Sequence, residues 1–68
     1  MQVYQRLKEL RLEKGLSQKT VAEIIGSVQA QYFKYETGIQ ELPMHHFVTL
    51  AKFYGVSLDY LAGLSDQR

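Results

Sequence analysis

The sequence predicts an all-α fold, a compact domain of five helices. Two observations predict this class. Apolar residues recur at helical spacing in five stretches, and no stretch alternates at period two for long enough to be a convincing strand. All five glycines fall just after one of these stretches, where glycine ends a helix without a steric penalty.

Length and composition narrow the class of protein further. The 68 residues predict one domain, 1–68, with a small core and little room for a deep substrate pocket, so we do not expect an enzyme. The chain has no cysteine, which excludes disulfides and thiolate metal sites and fits a cytoplasmic protein. We expect neither a leader nor a membrane span, because no apolar run approaches ~20 residues. The net charge of +1 is modest for a nucleic-acid binder.

The first predicted helix runs from about residue 2 to residue 14, and Gly15 lies just beyond its end. Val3, Leu7 and Leu10 form its apolar stripe at helical spacing. These three side chains are therefore expected to face the core.

The second predicted helix, 18–25, has clear signals at both ends. Ser17 suits the N-cap, because its hydroxyl can accept a hydrogen bond from a free amide of the first turn. Leu16 and Val21 are spaced for a hydrophobic staple across that cap. Gly26 stops the helix. The predicted apolar stripe consists of Val21, Ile24 and Ile25.

A third predicted helix, 28–36, follows almost at once. Tyr32, Tyr35 and Glu36 lie at positions i, i+3 and i+4, so they share one helical face. Two short helices joined by a tight glycine turn form a helix-turn-helix, here predicted over residues 18–36.

Two more helices are predicted after this motif. Pro43 suits the first turn of helix 4, 43–54, because its missing N–H costs nothing there. Ser57 is the expected N-cap of a short helix 5, 58–62, and residues 63–68 are expected to be a short tail. The residues of helix 4 expected to face inward are Phe47, Leu50, Ala51 and Tyr54.

Residues 18–36 resemble the helix-turn-helix of phage repressor/Cro and XRE-like transcriptional regulators. The similarity extends through almost the whole chain, over 6–11, 15–18, 35–38 and 55–61 in order. It implies a repressor-like domain in which Ala22 is small because the second helix of the motif crosses close over it. The motif residues that carry the resemblance are Val21, Ala22, Ile25, Gly26, Tyr32 and Tyr35.

The chain departs from this family pattern at the start of the third helix. The family usually has Val-Ser after the turn glycine, whereas this chain has Ser27-Val28. Either Ser27 caps the helix one residue early, or Val28 occupies the cap position without a capping side chain.

The resemblance also implies which residues contact DNA. The base-reading set is Gln29, Ala30, Lys34, Val28, Gln31 and Phe33. The phosphate-contacting set is Ser17, Gln18, Lys19, Thr37, Gly38 and Gln40. The alternative for the polar members is an ordinary solvent-facing role. The alternatives for Phe33 are a protein-binding patch and a single exposed apolar residue.

Arg11 and Glu36 each lie beside an apolar stripe, and a charge near a core needs a partner. We expect a partly buried ion pair, as in the resembled family; the alternative is two independent surface charges. His45 and His46 are adjacent and lack helical metal-ligand spacing, so no metal site is expected.

The function expected from this resemblance is sequence-specific DNA-binding transcriptional regulation, as a repressor that binds a palindromic operator as a homodimer. The dimer contact is expected around helix 5 and Leu64. The alternative is an antitoxin-like or anti-repressor module whose main partner is another protein. No cofactor and no membrane contact are expected.

Overall fold

The computed structural model describes residues 2–68 and contains five α-helices. They are α1 (Val3–Glu13), α2 (Gln18–Ile24), α3 (Gln29–Glu36), α4 (Met44–Tyr54) and α5 (Leu58–Leu61). No residue in the described range belongs to a β-strand. The all-α, five-helix prediction is confirmed.

The observed helix ends differ from the predicted ones by at most a single residue, and each residue that differs is a cap. A cap flanks the helix and is only partly helical, so the sequence signal for a helix end extends onto it. The predicted helical residues that are caps are Gln2, Lys14, Ile25, Val28, Pro43 and Ala62. Pro43 therefore precedes α4 rather than beginning it.

Two serine caps occur as the sequence predicts. The Thr20 amide donates to Ser17 Oγ at 3.1 Å, and the Tyr60 amide donates to Ser57 Oγ at 3.0 Å. Each bond satisfies one of the free amides at a helix start. The beginnings of α2 and α5 are thus determined by local chemistry.

The helices pack so that α3 contacts both α1 and α2, and α5 contacts both α1 and α4. The stripe of α2 differs in one place from the predicted one, because Ala22 is buried in the core whereas Ile24 is only half-buried. Val3 and Phe47 are half-buried and pack against the core. The core consists of Leu7, Leu10, Val21, Ala22, Ile25, Tyr32, Tyr35, Leu50, Ala51, Tyr54, Tyr60 and Leu61.

Residues 63–68 do not form a free tail but fold back onto α1 and α5. The Arg68 guanidinium pairs with the Glu13 carboxylate, and the Ser57 amide donates to the Arg68 carbonyl at 3.1 Å. The predicted tail is thus present, but it is docked against the domain. Arg68 and its partner Glu13 are 55 residues apart in sequence, and no local pattern indicates such a contact.

Arg6 is a buried charged residue that the sequence pattern does not identify. Its side chain is only 4% exposed, and its guanidinium carbon lies 3.8 Å from the centroid of the Tyr60 ring. Arg6 Nη2 lies 3.6 Å from Asp66 Oδ1. The cation–π contact and the nearby carboxylate compensate for removing the charge from water, and they link α1 to α5.

Candidate nucleic-acid interface

A tight turn between α2 and α3 positions the candidate interface. Gly26 has φ +70°, a conformation that residues with a Cβ seldom adopt. The Ser27 amide then donates to the Ala22 carbonyl at 2.8 Å, which closes the turn. Ala22 is buried between the helices, so the two helices of the motif approach closely, as the small side chain predicts.

The beginning of α3 has no capping side chain. Val28 is the N-cap residue, with extended backbone angles, and its side chain cannot accept a hydrogen bond. Of the two alternatives left open by the sequence, the structure shows the second, with Val28 at the cap position. The amides of Gln29 and Ala30 consequently have no hydrogen-bond partner among residues 2–68 and are free to donate to a ligand.

Most of the predicted base-reading residues lie on the solvent-facing side of α3. Gln29, Ala30 and Lys34 are exposed, and the Phe33 side chain is 46% exposed. At about 100° per residue, Ala30 and Phe33 lie near the middle of this face, with Gln29 toward one edge and Lys34 toward the other. The opposite face, with Tyr32 and the other buried residues, packs into the core. We call this surface the exposed face of α3.

Gln31 differs from the other members of the predicted base-reading set. It is half-buried, and its side-chain amide donates to the Gln40 side chain. This bond links α3 to the loop that follows it. In this conformation Gln31 holds the loop, and it lies about 100° around the helix from Ala30.

A groove of about 230 Å³ brings two predicted contact residues together at the start of α3. Lys19, at the start of α2, lines this groove together with Gln29 and Val28 of the α3 start. A residue predicted to contact phosphate is thus beside a residue predicted to read bases. The turn at Gly26 produces this proximity.

The other predicted phosphate contacts are polar, but several of their donors are already used. The Ser17 hydroxyl donates to Thr20 Oγ1 at 2.9 Å, and the Thr37 hydroxyl donates to the Phe33 carbonyl at 2.7 Å. The Gln18 side chain donates to Glu36 Oε1 at 3.4 Å. The amides of Gln18 and Lys19 remain without a partner in the described part of the chain, so they are the available donors at this helix N-terminus.

Gly38 and Gln40 lie at the other end of α3. Both are exposed, and the Gln40 amide donates to the Lys34 carbonyl at 3.1 Å, so the loop turns back along the helix. The Gly38 backbone is covered on one side by the Tyr4 ring, since a Cβ at Gly38 would lie 3.0 Å from a ring carbon. The C-terminal end of α3 is therefore held against α1.

The expected Arg11–Glu36 ion pair is present and supports α3 from below. Arg11 Nε lies 2.9 Å from Glu36 Oε2, and Arg11 Nη2 lies 2.7 Å from Glu36 Oε1. Arg11 Nη1 also donates to the Leu16 carbonyl at 2.8 Å. The guanidinium thus joins α1, the loop before α2, and α3 through charge-assisted bonds.

Electrostatics keep this pair ionised. Burial is the largest single influence and would raise the pKa of Glu36, but the hydrogen bonds and positive charge of Arg11, with smaller contributions from Tyr32 and Gln18, together outweigh burial and hold that pKa below its usual value. The same hydrogen bonds raise the pKa of Arg11. Glu36 is therefore a paired carboxylate, so its negative charge is offset close to the surface that would approach DNA.

Sequence patterns assign no role to Lys8, yet the structure places it near this surface. Lys8 is exposed and lines a groove with Gln18, Phe33 and Thr37. Its spacing of three residues from Arg11 puts both on the same side of α1. That spacing is the sequence signal by which Lys8 could have been identified, given the Arg11–Glu36 prediction.

Residues 2–68 lack two other kinds of structural feature. No group of three or more His, Cys, Asp or Glu side chains there could hold a metal ion. No helix in that range is both long enough and apolar enough to cross a membrane.

Comparisons with known proteins agree with this geometry. The helix-turn-helix family model matches residues 7–61. The chain is 40% identical over 62 residues to the uncharacterized HTH-type transcriptional regulator YobD of Bacillus subtilis, covering 91% of this chain and 55% of that protein. It is 38% identical over 61 residues to the cryptic phage CTXphi transcriptional repressor RstR of Vibrio cholerae, covering 90% of this chain and 55% of that protein.

Solved structures show the same fold. The P22 c2 repressor, crystallised in complex with a synthetic operator, superposes with a TM-score of 0.85 at 18% identity, over 96% of this chain and 98% of that one. The chain spans about half the length of the curated relatives that it matches.

Proposed function

Since this chain belongs to the helix-turn-helix family, we propose that it is a sequence-specific DNA-binding transcriptional regulator that acts as a repressor by occupying an operator. The observation that carries this proposal is the exposed face of α3, whose polar side chains Gln29 and Lys34 have no role in the core. The Arg11–Glu36 pair holds that helix in position. The name of the Vibrio relative, a transcriptional repressor, supports the direction of regulation.

In the proposed complex, α3 enters the major groove. Gln29 bonds an adenine through its side-chain amide, and Lys34 bonds the acceptors of a guanine. Ala30 and Val28 offer small apolar contacts to thymine methyl groups, which suits their exposure. Specificity thus comes from the first two turns of α3.

The contacts that position the protein on the DNA backbone are proposed to come mainly from neutral groups. The free amides of Gln18 and Lys19 lie at the start of α2. The other proposed contacts follow the end of α3 and are Thr37, Gly38 and Gln40. Neutral donors release few counterions. We therefore expect the logarithm of affinity to fall with the logarithm of salt concentration much less steeply than the slope of about −10 for lac repressor.

We further propose that the regulator binds a palindromic operator as a homodimer. One recognition helix reads only a few base pairs, and dimers of this class meet half-sites about 34 Å apart. Leu58 and Leu64 support a contact at the α5 end, because their side chains are 46% and 81% exposed. Sedimentation on an operator fragment should give two protein chains per duplex, and a single bound chain would contradict the dimer.

Selection of bound sequences from a random DNA pool tests the main proposal. Purified protein should enrich a palindrome with two identical half-sites. A variant carrying Gln29→Ala and Lys34→Ala is the matched control, because both side chains are exposed and their loss leaves the core intact. Absence of any enriched sequence with the unaltered protein would refute sequence-specific regulation.

A second candidate function is binding to another protein, as an antitoxin-like or anti-repressor module. The observation that favours it is the exposure of Val28, at the N-cap of α3, and of Phe33, within α3, at 67% and 46%. The net charge of +1 also gives little attraction to DNA. Failure to enrich DNA, together with co-purification of a single protein that Phe33→Ser abolishes, would favour this function.

A further inference from the structure

A groove of about 460 Å³ lies where α1, the start of α2 and the exposed face of α3 meet. Lys8 and Tyr4 line it from α1, Gln18 lines it from α2, and Phe33 and Thr37 line it from α3 and its C-cap. The groove continues directly from the exposed face of α3, because Phe33 belongs to both. A ligand that follows this helix would therefore extend into the groove.

The groove has a net positive charge although its floor contains a carboxylate. The Glu36 side chain is 2% exposed and takes three hydrogen bonds from Arg11, so its charge is matched within the floor. Lys8 is exposed and forms no ion pair with any residue the structure describes. The groove thus presents one unmatched cation to its occupant.

Aromatic walls make the groove amphipathic. Phe33 is 46% exposed and Tyr4 is 36% exposed. The Tyr4 ring lies over the Gly38 backbone, where a Cβ at Gly38 would be 3.0 Å from a ring carbon. One cation beside two aromatic faces suits a ligand in which anionic groups alternate with rings that present C–H groups, as phosphates and deoxyriboses do along each DNA strand.

We infer that this groove receives one strand of the DNA backbone, with a phosphate bound by Lys8 and the adjoining deoxyribose packed against Phe33. This inference rests on the proposed function and extends its contact surface from the helix-turn-helix to α1. Lys8 is the charged member of the contact, so its contribution is measured through counterion release.

The test is the salt dependence of DNA binding by four proteins, on the duplex obtained by selection. They are the unaltered chain, Lys8→Ala, Lys8→Arg and Lys52→Ala. Lys52 is the matched control, because it is an exposed lysine on α4 and its loss changes the net charge equally. Affinities are measured by titration at a series of salt concentrations.

Lys8→Ala should reduce the magnitude of the log–log slope by about 0.9, the value for one neutralised phosphate. Lys8→Arg should keep the slope of the unaltered chain, and so should Lys52→Ala. An unchanged slope for Lys8→Ala, or an equal reduction for Lys52→Ala, would overturn the inference and leave the proposed function intact. Absence of binding by the unaltered chain would instead refute the proposed function, and this inference with it.

Discussion

Arg11 and Glu36 are 25 residues apart in the sequence, yet Arg11 Nη2 lies 2.7 Å from Glu36 Oε1. The two side chains differ in their access to water, since Arg11 is 11% exposed and Glu36 only 2%. Removing Arg11 therefore has a different consequence from removing Glu36. Arginine without its carboxylate can reach solvent, whereas the carboxylate without its arginine stays buried.

Arg11→Ala should destabilise the fold more than Glu36→Ala does. Loss of Arg11 strands the Glu36 carboxylate with only the Gln18 amide at 3.4 Å, which we expect to cost ~3–5 kcal/mol. Loss of Glu36 removes charged hydrogen bonds at a cost of ~1.5–3 kcal/mol, because Arg11 keeps the Leu16 carbonyl and partial hydration. Urea unfolding of both variants measures the two costs.

The double variant completes a thermodynamic cycle for this pair. Once Glu36 is gone, removing Arg11 no longer strands a charge, so the double variant should be more stable than the sum of the single losses implies. Strictly additive losses would contradict a coupled pair, and an equal cost for the two single variants would contradict the asymmetry.

Stability should fall in acid, partly through Glu36. The pKa of Glu36 in the fold lies below its ordinary value of 4.5, so its contribution is complete above that value and is lost as the pH falls through the folded-state pKa. Glu36→Gln should flatten the dependence of the unfolding free energy on pH in this acid range.

Glu23→Gln is the control for this pH experiment, because Glu23 is exposed and has no ion pair among the described residues. It should keep the acid slope of the unaltered protein. A residual slope should survive in Glu36→Gln, since the hydrogen bonds from Arg68 also lower the pKa of Glu13. Identical curves for Glu36→Gln and the unaltered chain would exclude the Glu36 contribution.

Tyr54→Phe should leave stability unchanged or raise it by up to ~1 kcal/mol. The buried Tyr54 hydroxyl has no hydrogen-bond partner among residues 2–68, and burial raises its pKa to about 12. Removing an unpaired buried hydroxyl removes a desolvation cost. Thermal unfolding measures the change.

Tyr60→Phe provides the contrast. The Tyr60 hydroxyl donates to Glu9 at 3.3 Å and accepts from Arg68 at 3.2 Å, so its removal should cost ~1 kcal/mol. If Tyr54→Phe lowered the melting temperature as much as Tyr60→Phe, the Tyr54 hydroxyl would have to form a hydrogen bond, which would contradict this prediction.

Val28→Ser should stabilise the domain by about 1 kcal/mol. Val28 is at the N-cap of α3 with φ −113° and ψ 158°, an extended geometry from which a serine hydroxyl can accept an amide of the first turn. Little burial is lost, since Val28 is 67% exposed. Val28→Ala removes the same side chain without adding a cap, so a gain equal to that of serine would show that capping is not the cause.

Gln29→Ala should weaken binding to the selected operator by about 1–3 kcal/mol and weaken binding to a scrambled duplex much less. A neutral side chain contributes to base reading but little to counterion release. Lys34→Ala should weaken binding to both duplexes, since it removes a charge as well as a guanine contact.

Titration of each variant against both duplexes at one salt concentration separates these roles. The two residues lie about 140° apart around α3, so their substitutions should relax specificity at different base positions. Equal losses on the two duplexes for Gln29→Ala would assign it to backbone positioning and refute base reading.

The helices themselves follow from local sequence. Ser17 and Ser57 begin helices because a side-chain oxygen two or three residues before a free amide can bond to it without help from the rest of the chain. Gly26 and Gly55 end helices because positive φ is nearly free of strain only for glycine. These signals act over a few residues, so the sequence by itself determined the five helices and the helix-turn-helix.

Only the tertiary structure decided which charged and polar groups meet. The docking of residues 63–68, the burial of Arg6 against Tyr60, and the groove that joins Lys8 to Phe33 all depend on helices distant in sequence. Such contacts arise from the way the core packs, because burial of the apolar stripes determines how the helices are arranged. The polar side chains at the edges of these stripes then form ion pairs and hydrogen bonds with the groups that this arrangement brings close. The pairing of Arg11 with Glu36 could be predicted because both charges lie beside apolar stripes and the family resemblance supports it, whereas no such signal pointed to the burial of Arg6.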